Sequence, residues 1–196
     1  MRGADEEARA GRPQPVTVEL LLSSPRQRYV GRPGDGPASP RGPELHESVE
    51  LRAGLGVVGD RYFAKPAHRD ASVTLFAAEQ LDAVAAELGA PGLDVAATRR
   101  NVVLRGVDVD ALPRGAVVSL DSGDGPVELL VGRPANPCAW MDVVLAPGAF
   151  RGLRGRGGVR CRPLTDGVLR LGPAVLTVLD ARGDEPTPPG PSRPRD

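Results

Sequence analysis

Hydrophobic residues along this chain fall into many short runs and only one long stripe. Val16, Val18, Leu20 and Leu22 alternate with other residues in VTVELLL, the period-two pattern of a half-buried strand. ASVTLF, NVVL, GAVVSL, VELLVG, GVRCRPL, GVLRLG and AVLTVL repeat the theme, each bounded by Gly, Pro or Asp. The exception is AAEQLDAVAAELG, where Leu81, Val84, Ala85 and Leu88 follow helical spacing and Gly89 with Pro91 ends the run. Many short strands with few helices predict a mainly β (α+β) fold, a barrel-like domain carrying a few short helices.

The polar segments set the limits. Residues 1–14 and the Pro-rich 183–196 are expected to be disordered tails, leaving one domain over 15–182. Between the first strand and SVEL lies SSPRQRYVGRPGDGPASPRGP; a loop of that length is usually functional or disordered. Gly54, Gly56 and Gly59 in RAGLGVVGDRYF match a G-x-G-x-x-G spacing. A dinucleotide site needs a helix directly after the glycines, and DRYFAKP cannot supply one because Pro66 would interrupt it. The better reading is a turn that uses positive φ.

Composition excludes more than it suggests. The 196 residues carry 25 basic and 25 acidic side chains, so no global field draws the chain to nucleic acid or to a membrane surface. Scarce aromatic residues, 3% of the chain, also argue against single-stranded RNA on the RGRGG run. Two cysteines make neither a disulfide framework nor, with two histidines, a structural zinc site. The charged N-terminus lacks the apolar stretch of a secretory leader, and VTVELLL is too short to span a bilayer. A cytoplasmic setting is the expectation.

Candidate chemistry centres on RPANPCAWMDVVLAPGAF. Asn136 as N-cap and Pro137 at the first position predict a helix reaching Ala146, with Cys138 in its first turn, where the helix dipole favours a thiolate. The competing reading is a small buried hydrophobe, and that reading suits Cys161, which alternates with Val159 on a strand. Around Cys138 could gather Arg61, Lys65 and Arg69 from GDRYFAKPAHR, Arg99, Arg100 and Asn101 from ATRRNVVL, and the basic loop RGLRGRGGVR. Guanidinium forks suit a phosphate and an amide suits a heterocycle edge. These residues describe a site for an anionic, nitrogen-rich ligand, against the alternative of solvated surface arginines.

GLGVVGDRYF, SVTLFAAEQL, TRRNVVLRGVDVDALPRGAVVSL, RPANPCAW and GVLRLGPAVLTVL, in that order over roughly 45–180, resemble the MOSC domain, the C-terminal domain of molybdenum cofactor sulfurase. The resemblance implies a MOSC-type β-barrel that binds the molybdenum cofactor (molybdenum–molybdopterin) or handles sulfur. It implies that Cys138 ligates molybdenum or carries a persulfide. The R-x-N-hydrophobic block that meets the cofactor's phosphate and pterin corresponds to Arg99, Arg100 and Asn101, although proline often stands where Arg100 does here; Arg61 is a further contact. Sulfurases also contain a pyridoxal-phosphate domain, which this chain is too short to hold. Lys65, the only lysine, lies in a Pro-flanked loop, so pyridoxal phosphate attaches to this chain by family association alone.

The resemblance implies two functions. One is a small molybdoenzyme that reduces N-hydroxylated substrates, with Cys138 as thiolate ligand and electrons from a separate reductase. The other is a non-redox sulfur or cofactor carrier, with a persulfide on Cys138 supplied by a separate cysteine desulfurase.

Overall fold

A computed structural model describes residues 11–179. Seven of its strands are β1 (Gln14–Leu21), β4 (Val73–Ala77), β5 (Val102–Arg105), β6 (Val117–Asp121), β7 (Pro126–Pro134), β8 (Val159–Pro163) and β10 (Gly172–Leu179). They close into a barrel in the order β1, β10, β6, β7, β8, β4, β5 and back to β1. The remaining strands, β2 (Ser48–Arg52), β3 (Gly56–Val57) and β9 (Gly167–Arg170), form a separate three-stranded sheet. Its Val49, Leu51, Val57 and Leu169 join the barrel's own core.

The period-two alternation explains the barrel interior. Val16 and Val18, Val118 and Leu120, Val127, Leu129 and Val131, Val159 and Cys161, and Ala174 and Leu176 all point inward into one cluster. Every barrel pairing is antiparallel except β4 with β5, in which Leu75, Phe76 and Ala77 face Val102, Val103 and Leu104. A parallel pair needs a crossover, and helix α1 (Ala78–Leu88) supplies it. That helix covers the outer face of β4, so all five residues of the strand are buried. Phe76, Leu81, Val84, Val103, Trp140 and Leu153 make a second cluster outside the barrel. The helix ends as predicted, with Gly89 in the left-handed region at φ 60°.

The glycine pattern is a turn. Gly54, Gly56 and Gly59 have φ of 67°, 108° and 80°, and the chain continues into a 3-10 turn over Pro66–Ala71, not an α-helix. A Cβ on Gly56 would sit 2.7 Å from that of Ser72, so the turn packs directly on the entry to β4. Of the expected N-terminal tail, the Gly11 amide donates to Val178 O (2.8 Å) and Gln14 already belongs to β1. Residues 1–10 and the expected tail 183–196 lie outside the described residues. Among the described residues no helix is long and apolar enough to cross a membrane.

Two local expectations need correction. The helix predicted from Pro137 to Ala146 is only α2 (Met141–Val144), with Cys138 in the turn before it, its carbonyl accepting from Met141 N at 2.9 Å. The chain cannot turn earlier because Ala135 is still tied to the barrel, its amide donating to Gly158 O at 2.7 Å. At the other end Leu145 leaves helical geometry two residues before Pro147, which disfavours helix in the residue it follows. The basic segment RGLRGRGGVR, expected to be a flexible loop, instead begins in the last residues of α3 (Ala149–Gly152) and ends in β8. It is pinned where Arg156 donates to both oxygens of Glu87 (2.8 Å each) and Arg154 lies over the Phe150 ring.

Candidate functional site

The parallel pair β4–β5 organises the site. Asn101, just before β5, has all four amide hydrogen-bonding positions engaged. Its Oδ1 accepts from Thr74 N (3.0 Å) and Thr74 Oγ1 (2.9 Å), and its Nδ2 donates to Leu22 O (3.1 Å) and Asp60 Oδ2 (3.4 Å). Asp60 in turn accepts from Ser24 N (3.2 Å) and Tyr62 N (2.9 Å). This buried network ties the end of β1, the GDR turn and β4 to one point, so it fixes where the neighbouring arginines start.

Arg99 and Arg100 diverge from that point because Arg99 is in the left-handed region, φ 60°. This costs a non-glycine residue about 1–2 kcal/mol, and it sends adjacent side chains to different sides. Arg99 makes a bidentate pair with Glu44 (2.7 and 3.0 Å), which also accepts from Arg28 (3.0 Å) and from the Ser24 hydroxyl. Burial alone would raise the Glu44 pKa, but these donors, Arg99 foremost, outweigh it and hold the carboxyl down at about 2. Arg100 turns the other way, donating from Nε to Gly157 O (2.9 Å) and from Nη2 to Ala135 O. Gly157 and Gly158 permit that approach: a Cβ at either would lie 2.4 Å from Ala135 O or 2.1 Å from Leu75 O respectively.

Beside Arg100 lies a cavity of about 160 Å³, with Cys138, Asn136, Arg61, Arg160, Asn101 and Tyr29 among its lining. Cys138 is exposed at it, whereas Cys161 is sealed in the barrel core, where burial pushes its thiol up to about 12. Among the described residues no acidic side chain pairs with Arg61, Arg100 or Arg160. The Arg61 Nε is buried without a partner, its guanidinium 4.4 Å from the Tyr62 ring centre. Burial first, then Arg160, lowers the Arg100 pKa to about 10; burial first, then Arg133, lowers that of Arg160. Guanidiniums held down by burial and by neighbouring cations mark a concentration of positive charge.

All the residues expected at the site, Cys138, Arg61, Arg99, Arg100 and Asn101, line this one cavity. Arg61 and Arg100 offer uncompensated charge to it; Arg99 and Asn101 line it with their polar groups engaged inside the protein. Lys65 is exposed and not part of the lining, and Arg69 lines a different hollow with Arg114 and Arg133. Sequence reasoning missed Tyr29 and Arg28. Arg160 was included only as the last residue of the basic segment RGLRGRGGVR and was not singled out. Tyr29 and Arg28 sit in the motif-free loop after β1. Among the described residues no three His, Cys, Asp or Glu side chains gather as a metal cage.

The family model of the MOSC domain matches residues 51–176. The chain belongs to the MOSC domain family. This family is associated with molybdenum cofactor binding and sulfurase-related chemistry. The MOSC fold is seen again in solved structures. The YuaD protein of Bacillus subtilis superposes with a TM-score of 0.67 at 17% identity, over 86% of this chain and 98% of its own. YiiM of Geobacillus stearothermophilus gives 0.58 at 16% identity over 84% and 75%, and YiiM of Escherichia coli gives 0.55 at 17% over 88% and 72%. No curated protein matches the sequence significantly.

Proposed function

We propose that this MOSC domain binds the molybdenum cofactor and acts as a small molybdenum-dependent reductase of N-hydroxylated compounds. The observation that carries the reading is the meeting, at one cavity, of an exposed thiol with three guanidiniums that have no acidic partner. Arg61, Arg100 and Arg160 would hold the cofactor's phosphate, which needs dense positive charge and forked donors. The unpartnered Arg61 Nε is a donor of the kind such a phosphate would satisfy. Cys138 would supply the protein's soft ligand to the metal. Arg99 and Asn101 act as positioning residues: the Glu44 pair and the Thr74–Asp60 network hold the chain that carries Arg100. When bound, the cofactor supplies two-electron redox chemistry at its metal. The electrons would come from a separate reductase.

A second reading rests on the exposure of Cys138, which leaves its sulfur accessible to another protein. In it Cys138 holds a persulfide delivered by a separate cysteine desulfurase and passes the sulfur on, with no metal retained. Neither reading calls on pyridoxal phosphate, which attaches to this chain by family association alone; its single lysine, Lys65, is not in the cavity lining.

Metal and pterin content decides between them. Protein purified from a host that makes the cofactor should contain near-stoichiometric molybdenum and a fluorescent oxidised pterin. Cys138→Ala should lose most of the molybdenum, and Arg100→Ala should lose pterin and molybdenum together. Metal-free protein whose Cys138 becomes a persulfide with a desulfurase would support the carrier. Protein that takes up neither would overturn both.

A further inference from the structure

A larger hollow, of about 580 Å³, adjoins the Cys138 cavity and shares Arg28, Tyr29 and Arg99 with it. It lies between the loop after β1, the turn over Val95–Thr98 and α2. Its character is different. The shared wall presents charges that offset one another: Glu44 takes both forks of Arg99 and one bond each from Arg28 and Ser24, and Asp94 adds a second carboxylate to the lining. The Tyr29 hydroxyl donates to Ala97 O, its ring stacks on Trp140 with centroids 5.2 Å apart, and burial raises its pKa to about 12. It therefore stays neutral and turned away from a ligand. The rest of the lining is largely apolar, and two of its side chains, Leu45 and Val143, are 54% and 49% exposed. Apolar groups left open at the mouth of a hollow of this size are what a small organic molecule would cover.

We infer that this hollow is the substrate chamber, and that it takes an uncharged molecule with an apolar body, presenting its reactive end across Tyr29 and Arg99 to the Cys138 cavity. The proposal rests on the molybdenum-cofactor reading above and adds the substrate class to it. The charges divide the labour: the small cationic cavity selects an anion, and the charge-cancelled chamber rejects one. A free carboxylate or phosphate entering the chamber would lose its hydration against a lining in which Glu44 and Asp94 already offset Arg28 and Arg99. The Arg28–Glu44–Arg99 unit is the partition that keeps the two chemistries apart.

The test needs no cofactor. N-phenyl-1-naphthylamine, a neutral probe that fluoresces in apolar surroundings, is titrated into the wild-type protein. Saturable binding is expected. Val143→Glu and Leu45→Glu, both at half-exposed positions that do not threaten folding, should each weaken it about tenfold or more by placing a charge on an apolar contact. Cys138→Ala and Arg100→Ala should bind the probe like wild type, and pyrophosphate, which belongs in the cationic cavity, should not displace it. Absence of saturable binding, or indifference to both Glu variants, would overturn the chamber. So would displacement by pyrophosphate together with loss in Arg100→Ala, which would mean one anion site and no partition. Metal content does not enter this readout, so an empty metal site and an empty chamber are separate failures.

Discussion

Glu44 illustrates how much one buried acid can organise. It sits in a loop with no recognisable motif, yet it gathers Arg99, Arg28 and Ser24, and it fixes both the direction of the Arg99–Arg100 pair and the wall between two cavities. Glu44→Gln should destabilise the protein by about 2 kcal/mol, between the values for exposed and fully buried ion pairs. Because folding lowers this carboxyl from 4.5 to about 2, its stabilisation is complete above its unfolded pKa and is lost as pH falls toward 2. Urea denaturation midpoints measured from pH 6 to pH 2.5 should therefore fall less steeply in the variant than in wild type. At this scale Cys138, Arg61 and Arg100 were legible because thiols and arginines next to Asn, Gly or Pro turns stand out in any sequence. Glu44 was not legible, since nothing local distinguishes a buried acid from a solvated one; its partners Arg28 and Arg99 lie 16 and 55 residues away.

Elements behave differently when their purpose is closure and when it is approach. Gly89 and Gly158 both have positive φ, at 60° and 81°, but only Gly158 is crowded. Gly89→Ala meets nothing within 4 Å and should cost about 1 kcal/mol, the left-handed penalty alone. Gly158→Ala would drive a Cβ to 2.1 Å from Leu75 O, and so should cost several times more, about 3 kcal/mol or above. It should also weaken pyrophosphate binding, because the neighbouring Gly157 carbonyl orients Arg100. Thermal unfolding and a pyrophosphate titration of the two variants check this contrast. The sequence predicted α1 and its glycine stop because an eleven-residue amphipathic helix carries its signal within itself. It overextended the helix after Cys138, since Asn-Pro and an apolar run looked like a start. The anchoring of Ala135 to Gly158 is a long-range hydrogen bond that no local window contains.

The seven-stranded barrel closes on itself without a free edge, and the protein's two cysteines report on that state. Cys138 should react with iodoacetamide in the native protein. Cys161, fully buried among the inward residues of β8, should react only when the barrel opens. Mass spectrometry should find one alkylated cysteine under native conditions, and the second should label with the denaturant dependence of global unfolding. Rapid native labelling of Cys161 would show that β8 parts from β4 or β7 below the global transition. The cationic cavity belongs to this scale too. A chain with zero net charge concentrates three uncompensated guanidiniums in one place while arginines on the outside pair with acids, as Arg105 does with Glu19 and Asp82.

The mainly β class, the one long helix, the turn at Gly54–Gly59 and the choice of Cys138 as the candidate reactive thiol came from the sequence itself. Each depends on periodicity, on backbone freedom or on side-chain chemistry, which are properties of neighbours along the chain. The tertiary structure alone decided that GVLRLG joins the small sheet while AVLTVL closes the barrel, since equal β propensity says nothing about partners. It alone decided that Arg99 is paired with an acid inside the protein and Asn101 spends its amide there, while Arg61, Arg100 and Arg160 have no acidic partner among the described residues. Whether a charged group is satisfied depends on what lies within about 3 Å of it, and here those partners are tens of residues away along the chain.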